Sequence, residues 1–381
     1  VMGNLNNGYI MEPGNGLSEI GTNVRYKLTV SNYLDASQKT LKIIDLLPDI
    51  GDKTASFVIE NEVLQRVNRG TTFRVPLSKE VEAPEGYQVQ YTKDTISEDI
   101  PDFMANANWE SSLDDYSLAT AIKIVLLDGY ELKSNESVSF YMEFDIPKET
   151  SLHKLDRAVN SFGFSTLING YQFTESNLST LNVIKYNVEG NVFEDVNRNG
   201  LFDENVDKVF DQHIVKLVDE EGNTVKDLDG NDYITTTDSL GYYRFEVYRH
   251  GNYKIQILAP DEYQLIEPTS NELGSGIVDE TNGYSESFML DYEKTSQRIN
   301  AGYIPQQVSL KIEKLLKDPS GNIKTDETEF NFILKVNNEM FNGEAKIDGI
   351  TINIANGAFV LKGGESVIIE SLDIRSNYSV E

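Results

Sequence analysis

The chain has 381 residues, and its 33 basic and 62 acidic side chains give a formal net charge of −29. So acidic a surface repels nucleic acids and anionic lipids, which excludes nucleic-acid binding and favours cations as ligands. With no cysteine and only 3 histidines, the sequence excludes a disulfide scaffold, a thiolate zinc site and a cysteine nucleophile, and it disfavours a Ser–His–Asp triad. No apolar run is long enough for a membrane span, so we expect no membrane insertion.

Short strand signals dominate along the chain. Residues 24–30, 243–247 and 253–257 alternate apolar and polar side chains with period two, and turns containing Gly and Asn separate such segments. Helical spacing is rare, and we expect one short helix within residues 104–120. The pattern predicts an all-β protein made of tandem Ig-like or Greek-key β-sandwich domains in an elongated array.

Two joints divide the chain into three predicted domains, 1–185, 186–305 and 306–381. At the first joint a strand-like run ending at Tyr186 leads into a glycine-flanked strand, and the second joint is a short segment containing proline. Because both joints are short, we expect a semi-rigid rod. The sequence ends at Glu381 in what we interpret as the middle of a strand, so we expect a fragment whose targeting and anchoring signals lie outside it.

The first domain begins with a pattern typical of surface repeats. Segments 21–32 and 43–48 resemble the Ig-like repeat of bacterial surface proteins. The domain is large for one Ig fold, so we interpret residues 60–120 as an insertion, and such insertions often carry binding. Trp109, the only tryptophan, lies in this segment and is a candidate ligand contact; the alternative is a core residue.

Some relatives of this Ig-like repeat carry a Lys–Asn amide crosslink assisted by an Asp. The resemblance makes Asp45 the helper and Asn160 the acceptor. No lysine precedes Lys27, however, and Lys27 lies past the expected first strand. We therefore expect no crosslink in this domain.

An acidic loop follows the first joint. Counted from Asp195 as position 1, side-chain oxygens stand at positions 1, 3, 5 and 9, the last three being Asn197, Asn199 and Asp203, and position 6 is glycine. This alternation is typical of an EF-hand-type calcium loop, in which the main-chain carbonyl of position 7, here Leu201, adds an oxygen. Hard oxygen ligands suit calcium. The alternative is a polar turn that binds no metal.

The end of this loop departs from the EF-hand pattern. Position 12, where a bidentate acid is expected, is Val206, and Asp207 follows it. The loop therefore either carries a one-residue insertion or uses a shorter carboxylate as its last ligand.

The sequence around the loop resembles a known domain family. Residues 190–200 (GNVFEDVNRNG), 237–245 (TDSLGYYRF) and 301–303 (AGY) follow the pattern of the calcium-binding B domain of serine–aspartate repeat surface proteins. The resemblance covers about residues 186–304 and implies a Greek-key sandwich, stiffened by calcium, that serves as a spacer beneath an adhesive head. It also brings Asp238 toward the loop as a further ligand; the alternative is an Asx turn.

The last segment is similar to the pilin isopeptide-linker domains of Gram-positive pili and adhesins, through residues 308–314 and the Tyr-x-Val pattern of 378–381. In that family a buried lysine forms an amide with an asparagine of the last strand, assisted by a glutamate. The resemblance makes Lys314 the nucleophile. Glu381 is the candidate helper, one position early, unless that glutamate lies just beyond the end. The acceptor strand is missing from the sequence, and the alternative for Lys314 is an ordinary surface lysine.

These features favour a non-enzymatic cell-surface adhesin or pilus-type stalk protein, secreted and anchored to the wall of a Gram-positive bacterium, with calcium as its cofactor. The expected partners are a host extracellular-matrix protein or cell-surface ligand, and other pilus subunits. The alternative is a set of accessory glycan-binding or spacer modules of a secreted polysaccharide-active enzyme. Paired carboxylates such as Asp114 and Asp115 fit an enzyme, but so acidic a chain contains such pairs by chance.

Overall fold

The protein is built almost entirely of β-strands, which confirms the all-β prediction. The computed structural model describes residues 2–4, 8–10, 15–60, 63–149, 151–167 and 172–381. Across these ranges, no helix has the length and apolar composition that crossing a bilayer requires. Buried apolar side chains form separate clusters within residues 20–183, 184–303 and 334–372, so each part of the chain packs around its own core.

The strands before the first joint form several sheets. They are β1 (Met2–Asn4), β2 (Gly8–Ile10), β3 (Gly16–Glu19), β4 (Asn23–Ser31), β5 (Lys42–Leu46), β6 (Lys53–Glu60), β7 (Val63–Asn68), β8 (Tyr87–Thr92), β9 (Ala121–Leu126), β10 (Ser137–Asp145), β11 (Arg157–Asn160), β12 (Phe162–Ser165), β13 (Thr174–Glu175) and β14 (Ser179–Ile184). Their sheet orders are β10-β4-β1-β2, β11-β14-β3 and β13-β12-β5-β9-β8, and β6 pairs with β7. In β4 the alternation seen in the sequence buries Val24, Tyr26 and Leu28 against the core.

The helical segments differ in position from the expected helix at 104–120. They are α1 (Ile100–Asn106) and a 3₁₀ helix (Tyr116–Leu118). Helix α1 starts earlier than expected because the Asp99 side chain caps it by accepting a hydrogen bond from the Asp102 N–H, with a proline in the first turn. The chain is already extended at Ala107. The 3₁₀ helix lies within the predicted span, whereas α1 overlaps it only at residues 104–106, because the start signals of α1 lie upstream of residue 104.

The middle of the chain is a two-sheet sandwich. Its strands are β15 (Tyr186–Glu194), β16 (Lys208–Val209), β17 (Ile214–Val218), β18 (Ile234–Thr236), β19 (Tyr242–Val247), β20 (Gly251–Gln256), β21 (Tyr263–Leu265), β22 (Phe288–Leu290), β23 (Ser296–Arg298) and β24 (Ala301–Pro305). One sheet has the order β16-β15-β24-β21, with β19 and β23 also paired to β15, and the other has the order β18-β17-β20-β22. Strand β15 is thus the central strand from which the acidic loop leaves.

Gly190 lies where β15 passes from one parallel neighbour, β23, to the next, β24. A Cβ atom at this position would lie 1.8 Å from the Ile299 carbonyl oxygen. We expect Gly190→Ala to lower the free energy of unfolding by about 2–3 kcal/mol, because the clash is with backbone that cannot move without breaking the strand pairs. Denaturant titration checks this. Gly230→Ala, where a Cβ meets open space and only the positive φ of 87° is strained, is the control and should cost about 1 kcal/mol; equal losses would contradict the steric explanation.

The last part of the chain forms a smaller β unit. Its strands are β25 (Gln307–Glu313), β26 (Leu316–Lys317), β27 (Ile323–Lys324), β28 (Asp326–Val336), β29 (Glu339–Met340), β30 (Gly343–Ile347), β31 (Ile350–Ile354), β32 (Ala358–Gly363), β33 (Ser366–Asp373) and β34 (Tyr378–Val380). The larger sheets have the orders β25-β33-β30-β31 and β29-β28-β32, and β34 pairs with β28. Phe332 and Phe359 stack across the second sheet, with ring centroids 5.3 Å apart.

Candidate functional site

The acidic loop connects β15 to β16 and is held at both ends by the sheet. Glu194 pairs with Lys208 in the antiparallel register of these strands, and the Asp195 N–H donates to the Tyr303 carbonyl of β24 at 2.9 Å. Farther along the loop, Phe202 packs on Phe193 with ring centroids 5.2 Å apart. The loop therefore has a defined conformation and is attached to the central sheet at both ends.

Asp195 is the buried centre of this loop, with 2% of its surface exposed. Its two carboxylate oxygens accept hydrogen bonds from the N–H groups of Asn199 at 3.2 Å and Gly200 at 2.8 Å. The chain turns back over the carboxylate because Arg198 and Gly200 both have positive φ, 57° and 80°. Glycine at position 6 relieves strain at one of these two places.

Three predicted ligands meet at one carboxylate oxygen. The side-chain amides of Asn197 and Asn199 both donate to Asp203 Oδ2, at 2.9 and 2.6 Å. Positions 3, 5 and 9 of the loop are thus brought together as the sequence spacing predicts. Since each amide carries an oxygen beside its nitrogen, rotating it would present an oxygen toward the same place.

Asp207 closes the loop. Its Oδ1 accepts from the Val196 N–H at 3.0 Å and its Oδ2 from the Asp203 N–H at 2.8 Å, whereas the Val206 side chain is half exposed. Asp207, at position 13, thus contacts the loop at positions 2 and 9, and its role as the last calcium ligand stays a prediction.

The oxygen atoms that the loop can offer are of the type that calcium binds. Three carboxylates, two amide oxygens and main-chain carbonyls supply hard oxygen ligands, and calcium takes about six to eight of them. In the part of the chain that the structure describes, no three carboxylate or imidazole side chains are gathered as a ready metal cluster. The loop carboxylates are instead satisfied by N–H donors, so binding a cation would require the side chains to exchange these donors for the ion.

The other predicted ligands have local roles. Leu201 donates its N–H to Asn199 Oδ1 at 2.8 Å and forms a β-bridge with Gly274, which anchors the loop. Asp238 Oδ1 accepts from the N–H groups of Leu240 and Tyr242, at 2.9 and 3.0 Å. Asp238 thus forms the Asx turn considered from the sequence, and its role as a calcium ligand stays a prediction.

Trp109 is half buried in a satellite cluster beneath α1. Its Nε1 donates to the Met104 carbonyl at 3.0 Å, and its ring meets Phe103 edge-on at 5.8 Å. The ammonium of Lys123 lies 4.4 Å from the ring centroid. Trp109 therefore has a packing role, and its role as a ligand contact stays a prediction.

Lys314 and Glu381 lie on opposite faces of β28. The Lys314 ammonium lies 4.2 Å from the Phe330 ring centroid. Glu381 pairs through its backbone with Ile333, which is three positions from Phe330 and therefore on the opposite face of β28, and its carboxylate contacts Lys335 at 2.6 Å. Because strand side chains alternate between faces, Glu381 does not face Lys314. This corrects the expectation that Glu381 is the helper, and the role of Lys314 itself stays a prediction.

The first domain does bring Asp45 and Asn160 together. Asn160 Nδ2 donates to Asp45 Oδ2 at 3.1 Å, and both side chains are buried. Tyr26 and Lys27 of β4 both line the same small cavity, and the Lys27 ammonium lies 5.8 Å from the Tyr141 ring centroid. Tyr26 is the buried residue of the two, with 3% of its surface exposed.

Arg69 extends this buried network and was not anticipated from the sequence. Its guanidinium donates to Asn160 Oδ1 at 3.0 Å and to Asp52 Oδ2 at 2.6 Å, and its side chain is 0% exposed. Burial raises the pKa of Asp52 even though Arg69 opposes the shift. No local pattern could have identified this group, since its members come from distant segments.

Asp115, considered as one of a pair of enzymatic carboxylates, caps the 3₁₀ helix. Its Oδ1 accepts from the Ser117 N–H at 2.9 Å. Hydrogen bonds from the side chain and backbone of Ser117 lower the pKa of Asp115. A general acid requires a raised pKa, so Asp115 does not suit the general-acid role in a pair of enzymatic carboxylates.

The middle of the chain is similar to a known domain family. Residues 186–303 match the model of the SdrD B-like domain. The chain is 33% identical over 108 residues to serine-aspartate repeat-containing protein D of Staphylococcus aureus (strain Newman), covering 28% of this chain and 7% of that protein. It is 32% identical over 164 residues to serine-aspartate repeat-containing protein F of Staphylococcus epidermidis (strain ATCC 12228), covering 41% and 9%. The chain thus spans less than a tenth of the length of these curated relatives.

Solved pilin structures are also similar at low identity. BcpA, the major pilin subunit of Bacillus cereus, aligns with a TM-score of 0.38 and 10% identity over 76% of this chain and 67% of its own. The group B streptococcus pilus 2b backbone protein aligns with a TM-score of 0.39 and 12% identity over 75% and 94%. The family match confirms the resemblance identified from the sequence: residues 186–303 are similar to the SdrD B-like domain, and the chain is similar to surface proteins of Gram-positive bacteria.

Proposed function

We propose that this chain is a non-enzymatic spacer segment of a secreted, wall-anchored adhesin or pilus-type protein of a Gram-positive bacterium, and that calcium stiffens it through the loop at residues 195–207. The observation that carries the proposal is the convergence of Asn197, Asn199 and Asp203 at one oxygen, beside the buried Asp195. The loop lies within the segment that matches the SdrD B-like domain, and in our proposal it is a structural cation site of that segment. The partners would be a host matrix or cell-surface ligand and other pilus subunits.

Contacts across the first joint support a stiff spacer. Glu19 of β3 is 2% exposed and accepts from Tyr186 Oη at 2.9 Å and from the His250 N–H at 2.6 Å. Arg249 Nη1 donates to the Ile20 carbonyl at 2.6 Å. These buried polar contacts fix the middle domain against β3, since breaking them would leave a carboxylate unpaired out of water.

A second set of contacts ties the last domain to the start of the calcium loop. Arg375 lies over the Tyr263 ring, 4.8 Å from its centroid, and donates to Glu194 at 3.3 Å. Glu194 immediately precedes Asp195, and Lys208, just after the loop, lies 3.6 Å from the same carboxylate. Ordering of the loop by a cation would therefore also order the surface on which Arg375 rests.

Calcium is expected to stabilise the middle domain. Without a cation the clustered carboxylates repel one another; at about a hundredfold excess over the dissociation constant, calcium should add about 3 kcal/mol, or roughly 5–10 °C in melting temperature. For an extracellular module, a dissociation constant of ~0.1–1 mM is sufficient. The test is calorimetry of the chelator-treated chain with and without calcium.

Matched variants make this test specific. Asp195→Ala should abolish the rise in melting temperature. Asp227→Ala removes a carboxylate that accepts from the Asn231 N–H in an exposed turn outside the loop, and it should leave the rise intact. Asp238→Ala decides whether Asp238 is a ligand. A melting curve of the unmodified chain that is unchanged by millimolar calcium would overturn the metal-binding role, and the loop would then be a polar turn.

A further inference from the structure

A pocket of about 360 Å³ lies in the first domain between α1 and the β13-β12-β5-β9-β8 sheet. Its volume is within the usual range for small-molecule sites. Most of its wall is apolar, and its polar side chains are two lysines and one buried serine. The lining residues are Pro101, Met104, Ala105, Val125, Phe173, Lys42, Lys123 and Ser165.

The two lysines are brought to one wall by the strand register. Lys42 of β5 is paired with Val125 of β9, and Lys123 of β9 is paired with Ile44 of β5. The two lysines therefore occupy neighbouring positions on adjacent strands. Ser165 of β12 pairs with Lys42 on the other side and is 1% exposed. Lys42 and Lys123 thus both line one side of an apolar cavity.

Lys123 has an unusual environment for a chain of net charge −29. It is half buried, and its ammonium lies over the Trp109 ring; across the residues that the structure describes, it forms no ion pair with a carboxylate. Burial, and secondarily the charge of Lys42, lower the pKa of Lys123 to about 8. Placing this cation here is costly without a counter-ion, although the chain has acidic side chains in excess.

We propose that this pocket binds a small carboxylate that carries an apolar body, with the carboxylate at Lys123 and the body against Met104, Val125 and Phe173. The anion supplies the counter-ion that Lys123 lacks among the described residues, and it gains a charge-assisted hydrogen bond in a partly desolvated place. The apolar walls then select an aliphatic or aromatic body over a purely polar anion such as acetate. The inference is independent of the calcium loop, which lies in another domain.

Trp109 provides a direct readout, because it is the only tryptophan and it contacts Lys123. Octanoate added to the full chain should change the tryptophan emission saturably. Octanol, which has the same body without the charge, and acetate, which has the charge without the body, should bind at least about tenfold more weakly, a factor of ten corresponding to about 1.4 kcal/mol. Calorimetric titration of the same ligands gives a second measurement that does not depend on the indole.

Substitution of the cation separates charge from packing. Lys123→Met keeps a long apolar side chain over Trp109 and should weaken octanoate at least about tenfold while leaving octanol unchanged, and Lys123→Arg should restore most of the affinity. Lys154→Met, at an exposed lysine elsewhere in the domain, is the control and should have no effect. Absence of saturable octanoate binding, equal affinity for octanol, or full affinity in Lys123→Met would each overturn the proposal.

Discussion

Replacing Arg69 with methionine is expected to lower the free energy of unfolding of the first domain by about 3–5 kcal/mol. The guanidinium lies wholly inside the domain and satisfies Asp52 Oδ2 at 2.6 Å and Asn160 Oδ1 at 3.0 Å. It also donates to the Leu46 and Ser161 carbonyls. Methionine fills much of the volume but leaves the Asp52 carboxylate, 4% exposed, without its counter-ion. Leaving a buried charge uncompensated is what makes the loss so large.

Trp109 fluorescence can follow this unfolding, because the single tryptophan reports on the first domain alone. Arg74→Met is the control, since the Arg74 side chain is 43% exposed and its ion pair with Asp49 is 3.9 Å long. It should change stability by less than about 1 kcal/mol. The double variant Arg69→Met/Asp52→Leu removes both charges and should recover part of the loss. If Arg69→Met were as stable as Arg74→Met, the buried network would not hold the domain together.

The contrast between this network and the acidic loop shows what a sequence can predict. The loop is one contiguous stretch whose alternate side chains converge because a single turn brings them together. Asp195, Asn197, Asn199 and Asp203 could therefore be identified from spacing. Arg69 and Asn160 are 91 positions apart, and their contact exists only after the sheets have formed. The resemblance to the Ig-like repeat singled out Asn160, but nothing in the residues next to Arg69 distinguishes it from a surface group.

The position of a strand can likewise be predicted from local sequence, whereas the facing of side chains on different strands cannot. Strand β4 was predicted from period two, and its inward side chains are those that the alternation assigns. For Lys314 and Glu381, by contrast, the facing relation depends on the register of β34 against β28, where Leu334 pairs with Val380. A shift of one residue would exchange the faces. Local chemistry could nominate these residues, but only the register decides whether they meet.

The stability of the first domain is expected to fall with rising pH because of one carboxyl group, Asp45. This side chain is 1% exposed, its Oδ1 has no hydrogen-bond partner within the described residues, and burial raises its pKa to about 7, against the opposing charge of Arg69 and the hydrogen bond from Asn160. An unfolded aspartic acid loses its proton near pH ~4. Between these two values the native state holds more protons than the unfolded state, so the free energy of unfolding decreases as pH rises.

The size of this effect follows from the shift in pKa. A difference of about three between the folded and unfolded pKa values of Asp45 lowers the free energy of unfolding by about 4 kcal/mol. This loss is fully present above about pH 7 and absent below about pH 4. Asp45→Asn keeps an acceptor for Asn160 but cannot ionise, so its stability relative to the unmodified chain should rise across this range by up to that amount. Urea titrations followed through Trp109 at several pH values measure the difference directly. Asp128→Asn, at an exposed carboxylate, should give a nearly constant difference. A constant difference for Asp45→Asn as well would mean that Asp45 has the same pKa in the folded and unfolded domain, with the Arg69 charge and the Asn160 hydrogen bond offsetting its burial.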